Sequence, residues 1–310
     1  MAFDVSGLPE YVNEQSKELL TAAQFGGVSK FLAKRKKGIK HKESVKFFSS
    51  NLVYQTQGCS LTPSGNMVFS QKELAGGKIA IEEEYCVSDL REKWTQLELK
   101  SGSDGDFDSQ AFFQALGEEK VKSVAKQEEK GFWQADTGSG DANLNKYDGA
   151  IKLIDALGNT INGNPDDITA VTSANIIAVV DKQIELIGED WEDTDNKEVI
   201  LGRDLYKMYT TALRNLNLYH HEAVKGDFSM QIPGAEDVTL RGVSGLNGTN
   251  RIFTTYWDNL MSGCDDESEE DEFRWVYDDV NEIWRLKIKF KSGVQVGFGQ
   301  EIVQFELHTP

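Results

Sequence analysis

The sequence predicts an α+β protein in which segments able to form a core alternate with segments that cannot. Three observations lead there. From Asp106 or Asp108 to about Phe132, apolar residues recur at helical spacing over some 25 positions. Upstream of them, polar and apolar residues alternate around a Pro-Ser-Gly turn. The last third of the chain reads as a succession of strands.

Asn13 to Phe25 reads as a weak helix, with Leu19, Leu20 and Ala23 apolar, ending at Gly26-Gly27. The basic run Lys30–Lys46 follows. It offers only Phe31, Leu32, Ile39 and Val45 for packing, which predicts an extended or partly helical arm that does not fold by itself. Strand character begins at Val45. NLVYQTQ alternates, TPSGN (Thr62–Asn66) is a turn signal, and MVFSQKEL runs away from it. Gly76-Gly77 then precedes a further strand, KIAIEEEYCV. The whole stretch Val45–Tyr85 is expected to be a long hairpin. It is too polar to stand alone in water and has to lie on its own body or on a neighbour.

A short helix around Ser88–Leu97 and the linker SGSDGD (Ser101–Asp106) lead into the long helix. Its stripe is Phe113, Gly117, Val121 and Val124, joined by Phe112, Leu116 and Ala125. At 1.5 Å per residue it would reach roughly 37 Å, the length of a spine under a sheet. Residues 134–235 read as an α/β unit. It has helices near Tyr147–Leu157, in ANIIAVVDKQIELIG (capped by Thr172 or Ser173) and in DLYKMYTTALRNL, with a buried strand EVILG between the last two. The closing strands are VTLRGVSGL, NRIFTTYW, EFRWVYDD, EIWRLKIKFKSG and VQVGFGQEIVQFEL, with the acidic loop CDDESEEDE between the second and third.

The 310 residues suffice for one large core or two smaller ones. No stretch approaches a membrane span, and MAFDVSGLPEYVNEQ has neither the basic start nor the apolar core of a secretory signal. Cys59, Cys86 and Cys264 are few and far apart, which fits free thiols. Charge is polarised. Residues 1–50 hold nine basic and five acidic side chains, a net of +4, whereas the rest hold 24 and 46, a net of -22. A basic arm on an acidic body could meet phosphate or the acidic surface of another copy.

Motifs with chemical potential have plainer readings. His220-His221-Glu222 has adjacent side chains that point apart and no third ligand. Asp265–Glu272 lacks the spacing and the glycine of a calcium loop. ADTGSGDAN (Ala135–Asn143) looks like a phosphate cradle, but carries Asp in place of Lys and follows a helix. Its Asp136-Thr137-Gly138 triplet has no second copy and no all-β setting. The histidines, His41, His220, His221 and His308, form no catalytic set. No catalytic residue, cofactor or metal is expected.

The segment GLNGTNRIFTTYWDNLMSGCD, an acidic stretch, and strands ending KFKSGVQVGFGQEIVQFEL together resemble the C-terminal portion of tailed-phage major capsid proteins with the Hong Kong 97 fold. In that family a buried strand leads to an Asn-Leu-x-x-Gly-x-Asp turn, here Asn259 to Asp265, and the last strands surround a Gly-Val turn. The earlier order agrees: arm, hairpin, spine helix ending in Phe132-Trp133-Gln134, then an α/β unit.

The resemblance implies an arm at 1–44 and an extended loop at 45–88. It implies a peripheral domain at 89–134 and 263–295, and an axial domain at 135–262 and 296–310. It implies a non-enzymatic virion protein, assembled in the host bacterial cytoplasm, whose copies form the pentamers and hexamers of an icosahedral shell around double-stranded DNA. Portal and a separate scaffolding protein would be partners, with DNA contacted non-specifically if at all and no membrane involved. Some relatives carry a long scaffolding segment ahead of the arm, whereas here only about 40 residues precede the hairpin, so scaffolding is separate or removed. The expected assembly contacts are Lys34, Arg35, Lys36 and Lys37 on the arm, and Leu61, Pro63, Met67 and Phe69 at the hairpin tip. Cross-linking through Lys72 or Lys78 occurs in a few relatives and is not assigned. The rival readings are a tail-tube or decoration subunit and a cytosolic enzyme.

Overall fold

The computed structural model describes residues 19–39, 42–51, 53–55, 64–86, 109–189, 191–216, 228–264, 272–278, 280–281 and 283–308. Two sheets share the body. The first contains β1 (Lys34–Lys36), β4 (Gly77–Cys86), β10 (Leu260–Cys264), β11 (Glu272–Asp278) and β12 (Ile283–Val296). Residues 283–289 of β12 pair with β11 and with β4 at once, so these strands flank it on opposite sides. Further along, β12 pairs with β10, and β10 with β1.

The spine helix is α2 (Ser109–Gln134), its 26 residues close to the sequence expectation. Val124, with the partly buried Leu116 and Val121, lies against Phe273, Trp275, Trp284, Leu286, Ile288 and Phe290 on one face of this sheet. Leu20 and Ala23, from the helical segment 19–25, complete that core.

The second sheet runs β5 (Ile161–Asn162), β13 (Val303–Phe305), β9 (Ile252–Tyr256), β6 (Lys197–Gly202), β8 (Ala235–Val243) and β7 (Ser229–Ile232). β6 is buried along its whole length because helices cover both faces. Val199 and Leu201 face α4 (Ile176–Glu185) and α5 (Arg203–Asn215), whereas Ile200 faces α3 (Ala150–Leu157) and the end of α2. Trp133 on α2 stacks on Phe253 of β9, ring centroids 5.6 Å apart, within a core that also takes Leu260, Val294 and Val296 from the first sheet. The expected α/β unit is present, with Asn175 rather than Thr172 or Ser173 preceding α4.

Four expectations need correction. The hairpin is β2 (Lys42–Asn51) paired with β3 (Asn66–Ala75), and it ends there. KIAIEEEYCV is β4 and belongs to the first sheet: Ile79, Ile81 and Tyr85 pack towards its core, and Glu82 and Glu84 pair with Lys287 and Arg285 of β12. Gly293-Val294 is no turn, because β12 runs straight through it. A Cβ on Gly293 would lie 2.4 Å from the Ala75 carbonyl oxygen, so this glycine serves the crossing of β12 beneath the β3–β4 junction. The Asn-Leu-x-x-Gly-x-Asp stretch turns only at Trp257–Asn259 and continues as the wholly buried β10.

The fourth correction concerns the basic run. Residues 28–39 pack into the body through α1 (Val28–Leu32), β1 and the buried Ala33 and Ile39. Lys30, 2% exposed, donates to Glu128 and to Ser292 Oγ. Ser29 N and Oγ donate to the Glu129 carboxylate at 2.9 and 2.6 Å, and Trp133 Nε1 donates to Ser29 Oγ at 2.7 Å. Burial raises the Glu129 pKa, against the lowering pull of the Ser29 hydrogen bonds. Buried charge of this kind needs partners, and a lysine-rich string gives no sign in sequence that one lysine is a core residue.

Candidate assembly interface

The hairpin is anchored at its base and bare beyond it. Val45, Phe47 and Leu74 share one face and are buried with Ile39 and Met261. Phe47 meets Phe298 edge-on at 5.3 Å, and Gln295 Nε2 donates to Glu73 O at 2.6 Å. Lys72 Nζ donates to Val296 O at 3.0 Å and to Gly297 O, and burial lowers its pKa. Lys72 is thus a clamp at the hairpin base.

Past this base the apolar residues face solvent. Phe48 and Phe69 stand directly opposite each other, and Met67 follows on the same face. They are 67%, 75% and 54% exposed, while Val68, on the other face, is 50% exposed. Val53 and Tyr54 continue the exposed series. Met67 and Phe69, expected as assembly contacts, are exposed, and so is Phe48, which the sequence did not single out. Its only sequence signal was its place opposite Phe69, which needs the register. Leu61 and Pro63 lie outside the described residues.

The basic cluster covers β1 and the residue after it, β1 being the edge strand beside β10 among the described residues. Lys34, Arg35 and Lys37 are exposed and Lys36 is half-buried. Part of their charge is answered within the chain. The Arg35 guanidinium lies 4.0 Å from the Phe25 ring and 5.5 Å from Phe31, and Lys36 pairs with Glu43 at 2.8 Å.

The basic strand meets the hairpin at its base and not at its tip, and neither Met67 nor Phe69 lines the shared cleft. Lys34, Arg35 and Lys36 share an open cleft of about 590 Å³ with Lys46, Phe47 and Phe48 from the hairpin and Tyr256, Asp258, Met261 and Phe298 from the body. The Tyr256 hydroxyl donates to Glu301, and burial pushes its phenol well above the ordinary range. Asn259 closes the cleft wall: its Oδ1 accepts from Phe298 N at 2.6 Å and its Nδ2 donates to Phe298 O at 2.9 Å.

The motifs set aside as chemistry keep plain roles where they are visible. Lys152 pairs with Asp136 at 2.6 Å and Asp148 at 2.7 Å, holding the Asp136-Thr137-Gly138 loop and lowering both carboxyl pKa values. No cluster of ligating side chains suited to a metal ion occurs among the described residues. The histidine pair and the acidic loop up to Asp271 lie outside the described residues.

No family model matches the chain, and no curated protein matches its sequence. Solved structures do match. A chain of the satellite phage P4 procapsid, solved with its size determination (Sid) protein, superposes on 94% of this chain and 98% of its own length. The TM-score is 0.58 at 11% identity. The fold is the Hong Kong 97 capsid fold. The Hong Kong 97 fold is likewise shared with a Gordonia phage Cozz structure, over 92% of this chain and 87% of that one, with TM-score 0.57 and 12% identity. A virus-like particle from Pyrococcus furiosus matches 96% of this chain and all of its own, with TM-score 0.53 and 10% identity.

Proposed function

We propose that this protein is a structural shell subunit, the major capsid protein of a tailed phage, whose copies assemble as pentamers and hexamers around double-stranded DNA. The observation that carries this reading is the hairpin. Phe48, Met67 and Phe69 are displayed on a two-stranded ribbon with no core of its own, on a body that has the Hong Kong 97 fold. Covering such side chains on a neighbouring copy contributes roughly 1.5–3 kcal/mol each. Contacts of that size, repeated around closed rings, hold a shell while leaving each encounter reversible.

The division of labour follows the two sheets. The hairpin at 42–75 lies over an adjacent subunit, α2 with the first sheet forms the peripheral domain, and the second sheet with α3, α4 and α5 forms the axial domain. Portal and a separate scaffolding protein are the partners in the virion, assembly takes place in the host cytoplasm, and the role is structural rather than enzymatic.

Negative-stain microscopy of the purified protein tests this directly. Shells, rings or sheets support it, and a uniform field of small compact particles at all concentrations contradicts it. A second reading, a particle that encloses something other than phage DNA, is favoured by the likeness to the Pyrococcus furiosus virus-like particle. Nuclease-protected DNA inside particles from infected cells separates the two.

A further inference from the structure

We propose that the cleft between β1 and the hairpin base is the seat of the chain's own first eighteen residues. The cleft joins two chemistries. Lys34, Arg35, Lys36 and Lys46 bring positive charge, countered by Asp258 in the wall and by Glu43 at Lys36; Phe47, Phe48, Tyr256, Met261 and Phe298 bring apolar surface. An occupant has to be acidic and carry aromatic or aliphatic side chains between its charges.

Residues 1–18, outside the described residues, have that composition. Asp4, Glu10, Glu14 and Glu18 stand against the single Lys17, a net of -3, while residues 19–50 carry eight basic side chains and one acidic, a net of +7. Phe3, Val5, Leu8, Tyr11 and Val12 are interleaved with the acids. The polarity of the N-terminal region is therefore internal: an acidic piece is tethered to a basic one.

Reach is not limiting. Phe25 lies under Arg35 at 4.0 Å, at the edge of the cleft. The segment 19–25 is helical, so Leu19, where the described chain begins, lies about 9 Å along the axis from Phe25. Eighteen extended residues span up to roughly 60 Å. Tethering at this range gives an effective concentration on the order of millimolar, far above that of another copy in dilute solution. Among the described residues β1 also ends its sheet, so its outer edge offers backbone groups to an extended segment. Exposed ion pairs contribute little each, so burial of the apolar side chains supplies the hold and charge selects the segment. Phe48 borders both the cleft and the bare face of the hairpin. In the free subunit the seated segment would therefore shield part of the surface given above to a neighbour, a consequence that rests on the shell reading although the seat itself does not.

The test uses the full chain, prepared in ordinary and isotopically heavy medium, mixed before assembly and treated with a zero-length carbodiimide that joins carboxylates to lysines. Coupling of Lys152 to Asp136 or Asp148 serves as internal standard. The proposal expects Asp4, Glu10 or Glu14 coupled to Lys34, Lys36 or Lys46 in peptides of a single isotope, at a yield independent of protein concentration. The yield should fall but persist in about 1 M salt, where charges are screened within about 3 Å and the apolar hold remains. The variant K34E/K36E/K46E should lose the coupling, and adding E10K/E14K to it should restore coupling with the partners exchanged. Peptides of mixed isotope would give the cleft to a second copy and overturn the proposal. Coupling of the N-terminal acids to lysines elsewhere, unaffected by the swap, would overturn it too. So would absence of coupling with the cleft lysines protected by added duplex DNA. Failure of the shell reading would leave the single-isotope coupling intact.

Discussion

Lys30→Met takes the ammonium away from Glu128 while nearly keeping the volume of the side chain. Lys30 and Glu128 have side chains 3% and 6% exposed, so the carboxylate left behind is shut away from water. Two unit charges about 4 Å apart attract by roughly 4 kcal/mol at an effective dielectric of about 20, and stranding one partner of a buried pair typically costs 3–5 kcal/mol. Loss of the hydrogen bond to Ser292 adds about 1 kcal/mol. The expected loss is thus about 4 kcal/mol or slightly more, a large part of the stability of an ordinary domain. Urea unfolding of the unassembled subunit measures it, with tryptophan fluorescence as the signal, since Trp133 is hydrogen-bonded to the adjacent Ser29. Lys30→Met combined with Glu128→Leu should recover most of the loss, because a buried ion pair is replaceable by apolar groups of similar volume. A loss below about 1 kcal/mol for the single variant would refute the reasoning, for then residues 28–39 are a loose arm and not part of the folded body.

Other perturbations probe separate parts of the account. Phe48→Ser with Phe69→Ser should leave subunit stability within about 0.5 kcal/mol while sharply reducing closed shells by light scattering and microscopy; unfolding of the subunit would place the hairpin in the core. Gly293→Ala puts a Cβ against the Ala75 carbonyl and should cost about 1–3 kcal/mol in urea unfolding. Glu129, with its folded pKa raised by burial, retains its proton at a pH where the unfolded chain has released it. Its stability contribution is complete below the ordinary carboxylate range and disappears as pH rises through the raised value. The stability of Glu129→Gln relative to wild type should therefore increase from pH 4 to pH 8, and a flat or falling difference would contradict the assignment. Replacing Lys34, Arg35, Lys36 and Lys37 with glutamine should slow assembly as added salt slows the wild type, whereas unchanged kinetics would leave these cations to packaged DNA.

Periodic segments were legible in the sequence. Val121 and Val124 on α2, Val180 on α4 and the uniformly buried β6 each followed from apolar spacing, since one face or both had to leave water. What spacing could not disclose was partnership. Gly293 resembles a turn glycine until the β3–β4 backbone is seen crossing it. Lys30 is one lysine in a basic run until Glu128 is seen beneath it. β4 alternates as a hairpin strand would, and only its register with β12, placing Glu82 by Lys287 and Glu84 by Arg285, assigns it to the body. The candidate interface was half legible. Exposed Met67 and Phe69 stood out because a polar strand had no reason to carry them, but the cleft joining Lys34–Lys36 to Phe47 and Phe48 is a tertiary juxtaposition.

The central claim is that the bare hairpin belongs on another copy of the same chain. Cryo-electron microscopy of the assembled product tests it most directly. The expected result is closed shells built from pentamers and hexamers, with β2 and β3 of each subunit lying across its neighbour and Phe48, Met67 and Phe69 covered there. Helical tubes would contradict it, as would a monomer whose hairpin folds back to bury those three side chains on its own body.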